Sequence, residues 1–284
     1  MLAELPFPAA WLKPGFTVVC LAALWSWETL HPFFLRSRGR LRHAMHNLAI
    51  AIFNTVLMGL LFGSATVLVA QWTVQNGYGL LHLRELPSAL QLVLAVALLD
   101  AWLYAWHRAN HRFPLLWRFH RTHHADNEMD VTTATRFHFG EHLGASVLRI
   151  GLIPLLGFEL WHLLIFETLV VGMTMFHHAN ISLGRWDAPL RCLIVTPFMH
   201  KVHHSRWRPE TDSNYSILFS FWDRLFQSFR MREDCSTIEL GLDDFNDPRW
   251  QTFGGMLTTP FITPATTSHA SQSATPPNPE DGIS

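Results

Sequence analysis

All-α is the fold class this sequence predicts: an integral membrane helical bundle with a cytoplasmic, histidine-rich helical cap. Three observations predict it. The 284-residue chain is 49% hydrophobic and only 15% charged, with a mean hydropathy of +0.14, greasier than an ordinary soluble domain. Its apolar residues fall into long uncharged runs, several of them near the roughly 20 residues that cross a bilayer. Eight of its 18 histidines gather where those runs stop, at the helix spacings H-x-x-x-H and H-x-x-H-H.

The first run, about 14–34, carries only Lys13 before it and Arg36, Arg38, Arg40 and Arg42 after it. That is a poor cleavable leader, so it reads as a retained helix. The arginines belong on the cytoplasmic side, which puts the N-terminus outside. A second helix, about 48–70, then runs outward. Its loop, "QWTVQNGYGLLHLRE", has one arginine, as suits an outer loop. A third helix, about 86–106, returns and delivers His107 to the cytoplasmic edge, where Arg108, Arg112, Arg118 and Arg121 again mark the inside. Residues 143–156 and 158–176 are apolar but interrupted by Pro154 and Gly157, so they read as a helical hairpin, crossing or re-entrant. Either form brings the chain back to the side it left. Every histidine motif then faces one compartment.

Residues 1–257 read as a single domain. The segment 258–284, rich in Thr, Ser and Pro, reads as a disordered tail. Cys20, Cys192 and Cys235 are scattered and lack a Cys-x-x-Cys spacing, which excludes a disulfide framework and a thiolate zinc site. A formal net charge of -1 and no basic stripe exclude nucleic acid as a partner.

The histidines fall in three motifs: His107 and His111 in "HRANH", His120, His123 and His124 in "HRTHH", and His200, His203 and His204 in "HKVHH". Spacings of three and four put side chains on one helix face. Without a metal, eight such rings would bury polar nitrogens with no partner. They exceed the four ligands of one tetrahedral zinc, and H-E-x-x-H is absent, so the cap is expected to hold a di-metal site. Imidazole suits iron, zinc, copper and nickel alike.

Asp100, Tyr104, His107 and His111 form one helical stripe. An acid in an apolar helix needs a partner, and Asp100 is expected to hold a ligand imidazole or to pair with an arginine. Asp212, Asn214 and Asp223 either hold ligands likewise or cap turns. Trp222 and the other tryptophans read as interface markers. His142 and His162 receive no role.

The motifs together resemble the fatty acid hydroxylase and sterol desaturase superfamily of membrane di-iron oxygenases. The three histidine motifs match in order, and the resemblance extends to Asp100 and Tyr104, to "TTATRFHFGEHL", to "FHHANISLG" and to "DSNYSILFSFWDRLFQSF". It covers about residues 100–229. Phe139, Ser216 and Gln227 depart from the family at turn positions.

The resemblance implies two irons on the eight motif histidines, with His138 and the pair His177/His178 as further ligands, His178 preferred, and Asn180 in support. It implies dioxygen as co-substrate and oxidation of a lipid C–H bond, giving an alcohol or a double bond. Sterols, fatty acyl chains, sphingoid bases, ether lipids and carotenoid-like molecules all suit the apolar approach. Lacking a dinucleotide fingerprint or cysteine cluster, the chain is expected to draw NAD(P)H-derived electrons through an external ferredoxin or cytochrome b5-like donor. That donor docks on the basic inner face, unless those arginines serve topology and lipid headgroups.

The setting is a bacterial inner membrane or the endoplasmic reticulum. Two other classes compete. A transition-metal transporter would carry ligands within successive helices at different depths. A metal-dependent hydrolase would need a carboxylate base, Glu128 or Glu141.

Overall fold

The computed structural model describes residues 11–35 and 39–263. Among them the chain is all-α, with isolated β-bridges at Ile194–Phe219 and Ser205–Leu240 but no strand. Six helices come first: α1 (Leu12–Leu30), α2 (Arg40–Gln75), α3 (Ser88–Arg112), α4 (Pro114–His124), α5 (Phe139–Leu156) and α6 (Leu160–His178). Five short ones follow: α7 (Asp187–Leu190), α8 (Pro197–His203), α9 (Arg208–Thr211), α10 (Phe221–Leu225) and α11 (Phe253–Thr258).

Among the described residues four helices are long and apolar enough to cross a membrane: the stretch that contains α2, then α3, α5 and α6. They form two hairpins, α2–α3 and α5–α6, each leaving the histidine-rich end of the molecule and returning to it. At the far end the hairpin turns meet. Gly79 and Gly157 both have positive φ, and a Cβ on Gly79 would lie 2.1 Å from the Gly157 nitrogen. Only glycine fits there. Leu81, Leu99, Ile153, Phe158, Leu163 and Phe166 fill the core beside this contact.

α2, with 36 residues, is about 54 Å long, far beyond the roughly 30 Å of a hydrocarbon core. Its first turns therefore belong to the cap, where His43 and Asn47 are buried. α5 starts four residues earlier than the apolar run because His138 caps it, its Nδ1 accepting from Gly140 N at 3.0 Å. Pro154 sits inside α5, and the hairpin breaks instead at Gly157, whose left-handed backbone ends the helix.

Two expectations change. α1 is not among the four long apolar helices, since Lys13 and Glu28 dilute it. Lys13 pairs with Glu167 at 2.5 Å, two turns inside α6, so α1 runs beside only the half of α6 nearer the histidines and ends with Glu28 buried in the cap. Residues 258–263, assigned to the tail, are folded: Thr259 and Pro260 are buried, and the turn Thr259–Phe261 lies against α4. Arg121 and Arg118 explain this, because they donate to the carbonyls of Thr259, Ile262 and Pro260. The rest of the tail, 264–284, lies outside the described residues.

Candidate metal centre

The break between α3 and α4 creates the site. Phe113, extended as a residue before proline must be, lets Pro114 start α4 at once in a new direction. α8 starts likewise, with Pro197 in its first turn and the Thr196 hydroxyl accepting from Met199 N at 3.4 Å. These two short helices then face each other between the ends of α3 and α6.

Nine imidazoles converge in two buried groups, within each of which the ligand atoms all lie within 4.8 Å of one another. The first joins His107 and His111 of α3, His120 and His124 of α4, and His203 of α8. The second joins His123 of α4, His178 of α6, His200 of α8 and the adjacent His204. α4 and the α8 segment each feed both groups, because spacings of three and four aim neighbouring side chains to either side. The groups touch where the His124 and His204 rings stack at 4.5 Å.

Ring protonation follows from the outer nitrogens. Nδ1 of His107 donates to Tyr215 O at 2.8 Å, that of His203 to Ser213 O at 2.6 Å, that of His123 to Arg136 O at 3.2 Å, and that of His178 to Thr174 O at 2.7 Å. Carboxylates take two more: Glu141 accepts from His120 Nδ1 at 3.0 Å and Asp212 from His111 Nδ1 at 3.3 Å. Each Nδ1 thus holds the proton, and each Nε2 turns a lone pair inward.

Inside, those lone pairs have nowhere to go. Nε2 of His107, His111, His203 and His204 is buried with no protein partner. Nε2 of His123 and His178 face each other at 3.1 Å, although both rings spend their proton at Nδ1. Two neutral rings repel in that arrangement; a cation between them resolves it. Protonation does not, because burial and neighbouring imidazoles hold His123, His124, His200 and His204 well below the usual histidine range. His203 is pushed down to about 3 by burial, despite its bond to Ser213. Neutral nitrogen donors gathered in this way fit transition-metal ions, one per group.

Two expected ligands stand outside both groups. His138 spends Nδ1 on capping α5 and Nε2 on Leu257 O at 3.2 Å. His177 is buried beside His200, its ring 4.0 Å away, but shares no ligand-distance group. Among the supporting residues only Asp212 touches a histidine.

Asp100 does not hold an imidazole, as the stripe suggested. It is turned toward α10 and accepts from Leu218 N and Phe219 N, both at 3.1 Å, and from Trp222 Nε1 at 2.8 Å. Trp222 is therefore a partner of Asp100 rather than a simple interface marker. Tyr104 meets Ser228, Asn180 ties residues 33–34 to the end of α6, and left-handed Asn214 pins Met199 to Arg230. Asp223 accepts from Tyr215 N and Ser216 N, and so fixes the loop whose carbonyl holds His107.

Sequence reasoning missed other supports. Glu141, which the sequence offers as a hydrolase base, is bound to His120 and Asn110 instead. His43 bridges Asp126 at 2.8 Å and Asp130 at 3.2 Å, tying α2 to the segment after α4. Burial raises the Asp126 carboxyl, but His43 and Arg136 outweigh it and hold it well below the carboxylate range. The signal was available: His43, Asn47 and Asn54 mark one polar stripe on an otherwise apolar helix.

The comparisons agree with this geometry. The sequence model of the fatty acid hydroxylase family matches residues 92–228, just under half of the chain. Ornithine lipid hydroxylase OlsE of Rhizobium tropici is 32% identical over 158 residues, 55% of this chain and 46% of that protein. Alkylglycerol monooxygenase of Danio rerio is 29% identical over 155 residues, 54% of this chain and 34% of the relative. Very-long-chain aldehyde decarbonylase GL1-7 of Oryza sativa subsp. japonica is 31% identical over 142 residues, 46% of this chain and 22% of the relative. The chain spans less than half the length of each of these relatives. No solved structure matches it significantly. With its histidine motifs, its helical architecture and its sequence relatives in agreement, residues 92–228 of the chain are similar to the fatty acid hydroxylase family.

Proposed function

We propose that this chain is a multi-pass membrane oxygenase that holds two irons and hydroxylates or desaturates a C–H bond of a lipid. The observation that carries it is the pair of adjacent all-histidine groups, buried at the ends of two long apolar helices. His107, His111, His120, His124 and His203 would hold one iron; His123, His178, His200 and His204 the other. Bound there, two ferrous ions supply the reduction of dioxygen and the oxidation of an unactivated C–H bond.

The protein's own part is to orient and exclude. Backbone carbonyls, Glu141 and Asp212 fix the tautomer and direction of six rings. Arg136, fully buried, donates to Thr122 O at 3.0 Å and Trp250 O at 3.1 Å, drawing the C-terminal segment over α4 and closing the site to water. Electrons reach the site from outside, through a ferredoxin or cytochrome b5-like donor supplied by NAD(P)H. The relatives named as lipid hydroxylase and alkylglycerol monooxygenase support a lipid substrate. The arginines before α2 and after α3 support a cytoplasmic site.

Placement weighs against transport, since every ligand sits at one end of the bundle. It weighs against Glu141 as a hydrolytic base too, because that carboxylate is already engaged by His120 and Asn110. Purified protein tests the reading. Two irons per chain and oxygen-dependent consumption of electrons with a lipid are expected. His123→Ala should lower iron content and abolish turnover; an unchanged rate, or metal flux into sealed vesicles, would overturn it.

A further inference from the structure

One face of α3 is left open along its last three turns. Ala101, Ala105 and Ala109 form the floor of a groove of about 400 Å³, within the range of ligand-binding clefts. One wall is aromatic: the Phe226 ring stacks on Tyr104 at 5.2 Å and lies 6.4 Å from Trp222, both nearly parallel. This wall is held in place beforehand. Trp222 donates to Asp100, and the Tyr104 hydroxyl meets Ser228 at 2.7 Å.

Arg108 and Arg112 line the end of the groove nearest the C-terminus of α3. Among the described residues Arg108 bonds only uncharged oxygens, the Tyr104 hydroxyl at 3.2 Å and Phe226 O at 3.3 Å. The Arg112 side chain makes no hydrogen bond or ion pair among the described residues, and neither guanidinium meets a carboxylate there. At 25 residues, α3 is roughly 37 Å long, more than a hydrocarbon core of about 30 Å. If the overhang falls at the arginine-bearing end, its last turns would stand at headgroup level and Ala101 among acyl chains. The distance from Ala101 to Arg112 along the helix is about 16 Å.

We propose that this groove binds a bilayer lipid with an anionic headgroup, its acyl chain along the alanine floor and its headgroup on Arg108 and Arg112. An acidic soluble protein would use the arginines but leave the apolar floor empty, so the shape favours a lipid. Guanidinium forks suit phosphate and carboxylate oxygens alike. The rigid wall lowers the cost of ordering a chain against it. Only residence of α3 in a bilayer is required; the metal content of the histidine groups is a separate matter.

The test is native mass spectrometry of the full chain, delipidated in detergent and titrated with dioleoyl phosphatidylglycerol or dioleoyl phosphatidylcholine. The wild type should prefer phosphatidylglycerol. A basic side chain at a membrane surface is worth roughly fivefold in affinity. Arg112→Gln, which breaks no hydrogen bond or ion pair among the described residues, should therefore weaken phosphatidylglycerol by about that factor and leave phosphatidylcholine unchanged. Arg108→Gln with Arg112→Gln should erase the preference. Ala105→Leu, which fills the groove, should weaken both lipids while metal content stays at the wild-type level.

Three results would overturn the assignment. One is a phosphatidylglycerol preference that survives in the double variant. Another is displacement of the lipid by inorganic phosphate at equal concentration, which marks a free-anion site. The third is a double variant that keeps its lipids and loses only electron delivery from an acidic donor protein, which marks a protein-docking face.

Discussion

At Glu141 a single carboxylate decides how an imidazole is presented. It accepts from His120 Nδ1 and from Asn110, and so leaves His120 Nε2 turned toward the first group. Partners of this kind are typically worth about 10- to 100-fold in metal affinity. Glu141→Ala is expected to weaken metal binding by that factor, read by competition with a chelator, and Glu141→Gln by less. Lys201 makes a different kind of statement. Its ammonium is fully buried, donates to Ala179 O and Ile181 O at 3.2 and 3.0 Å, and faces the rings of Phe33 and Phe198. Burial pushes it down to about 7, from 10.5 in a free side chain. Between those values the unfolded chain binds the extra proton, so stability should rise as pH climbs from about 7 to about 10.5. Lys201→Met should flatten that slope in thermal melts recorded across the same range.

Elements as short as α8, with seven residues, do not persist alone in water. α8 forms because its ends are prepared: Pro197 fixes the first turn and Thr196 caps it. Thr196→Ala should cost about 1 kcal/mol, seen as a lower unfolding temperature, together with weaker metal binding because His200 and His203 ride on that helix. α4 depends on tertiary support as well. His43 from α2, Arg136 and the turn Thr259–Phe261 surround the segment that carries "HRTHH". These contacts arrive from far along the chain, 83 residues away for His43–Asp126 and 138 for Arg121–Thr259. The helices bearing the histidines are thus placed by elements that bear none of the ligands.

For the whole molecule, a metal held on the inward lone pairs would be part of the fold. Ligands that bind only the native state stabilise it by mass action, by about 2.7 kcal/mol at a hundredfold excess over Kd. Chelation should therefore lower the unfolding temperature of the wild type by several degrees, and adding back ferrous iron should restore it. A variant lacking both His123 and His203 should show little of this response. The two hairpins carry the site as one unit, because their far turns meet at Gly79 and Gly157 while their near ends supply α3 and α6 to the histidine groups.

Much of this could be read from the sequence. Runs of apolar residues specify the long helices, because nothing else buries so much uncharged chain, and the three- and four-residue histidine spacings specify shared faces. What periodicity cannot tell is which ring joins which group. His123 and His124 are neighbours in the chain yet serve opposite sides, and His178 joins the second group while His177 joins neither, since orientation depends on where α4, α6 and α8 cross. The acids were hardest to place. Asp100 lies in the same stripe as His107 but turns to α10, whereas Glu141 comes to His120 from another helix. Composition and local spacing thus determined the helices, the membrane character and the choice of imidazole as donor. The division into two groups, and the carboxylates that aim them, were decided by tertiary structure, because a hydrogen bond between distant residues depends on helix packing and leaves no periodic trace in the chain.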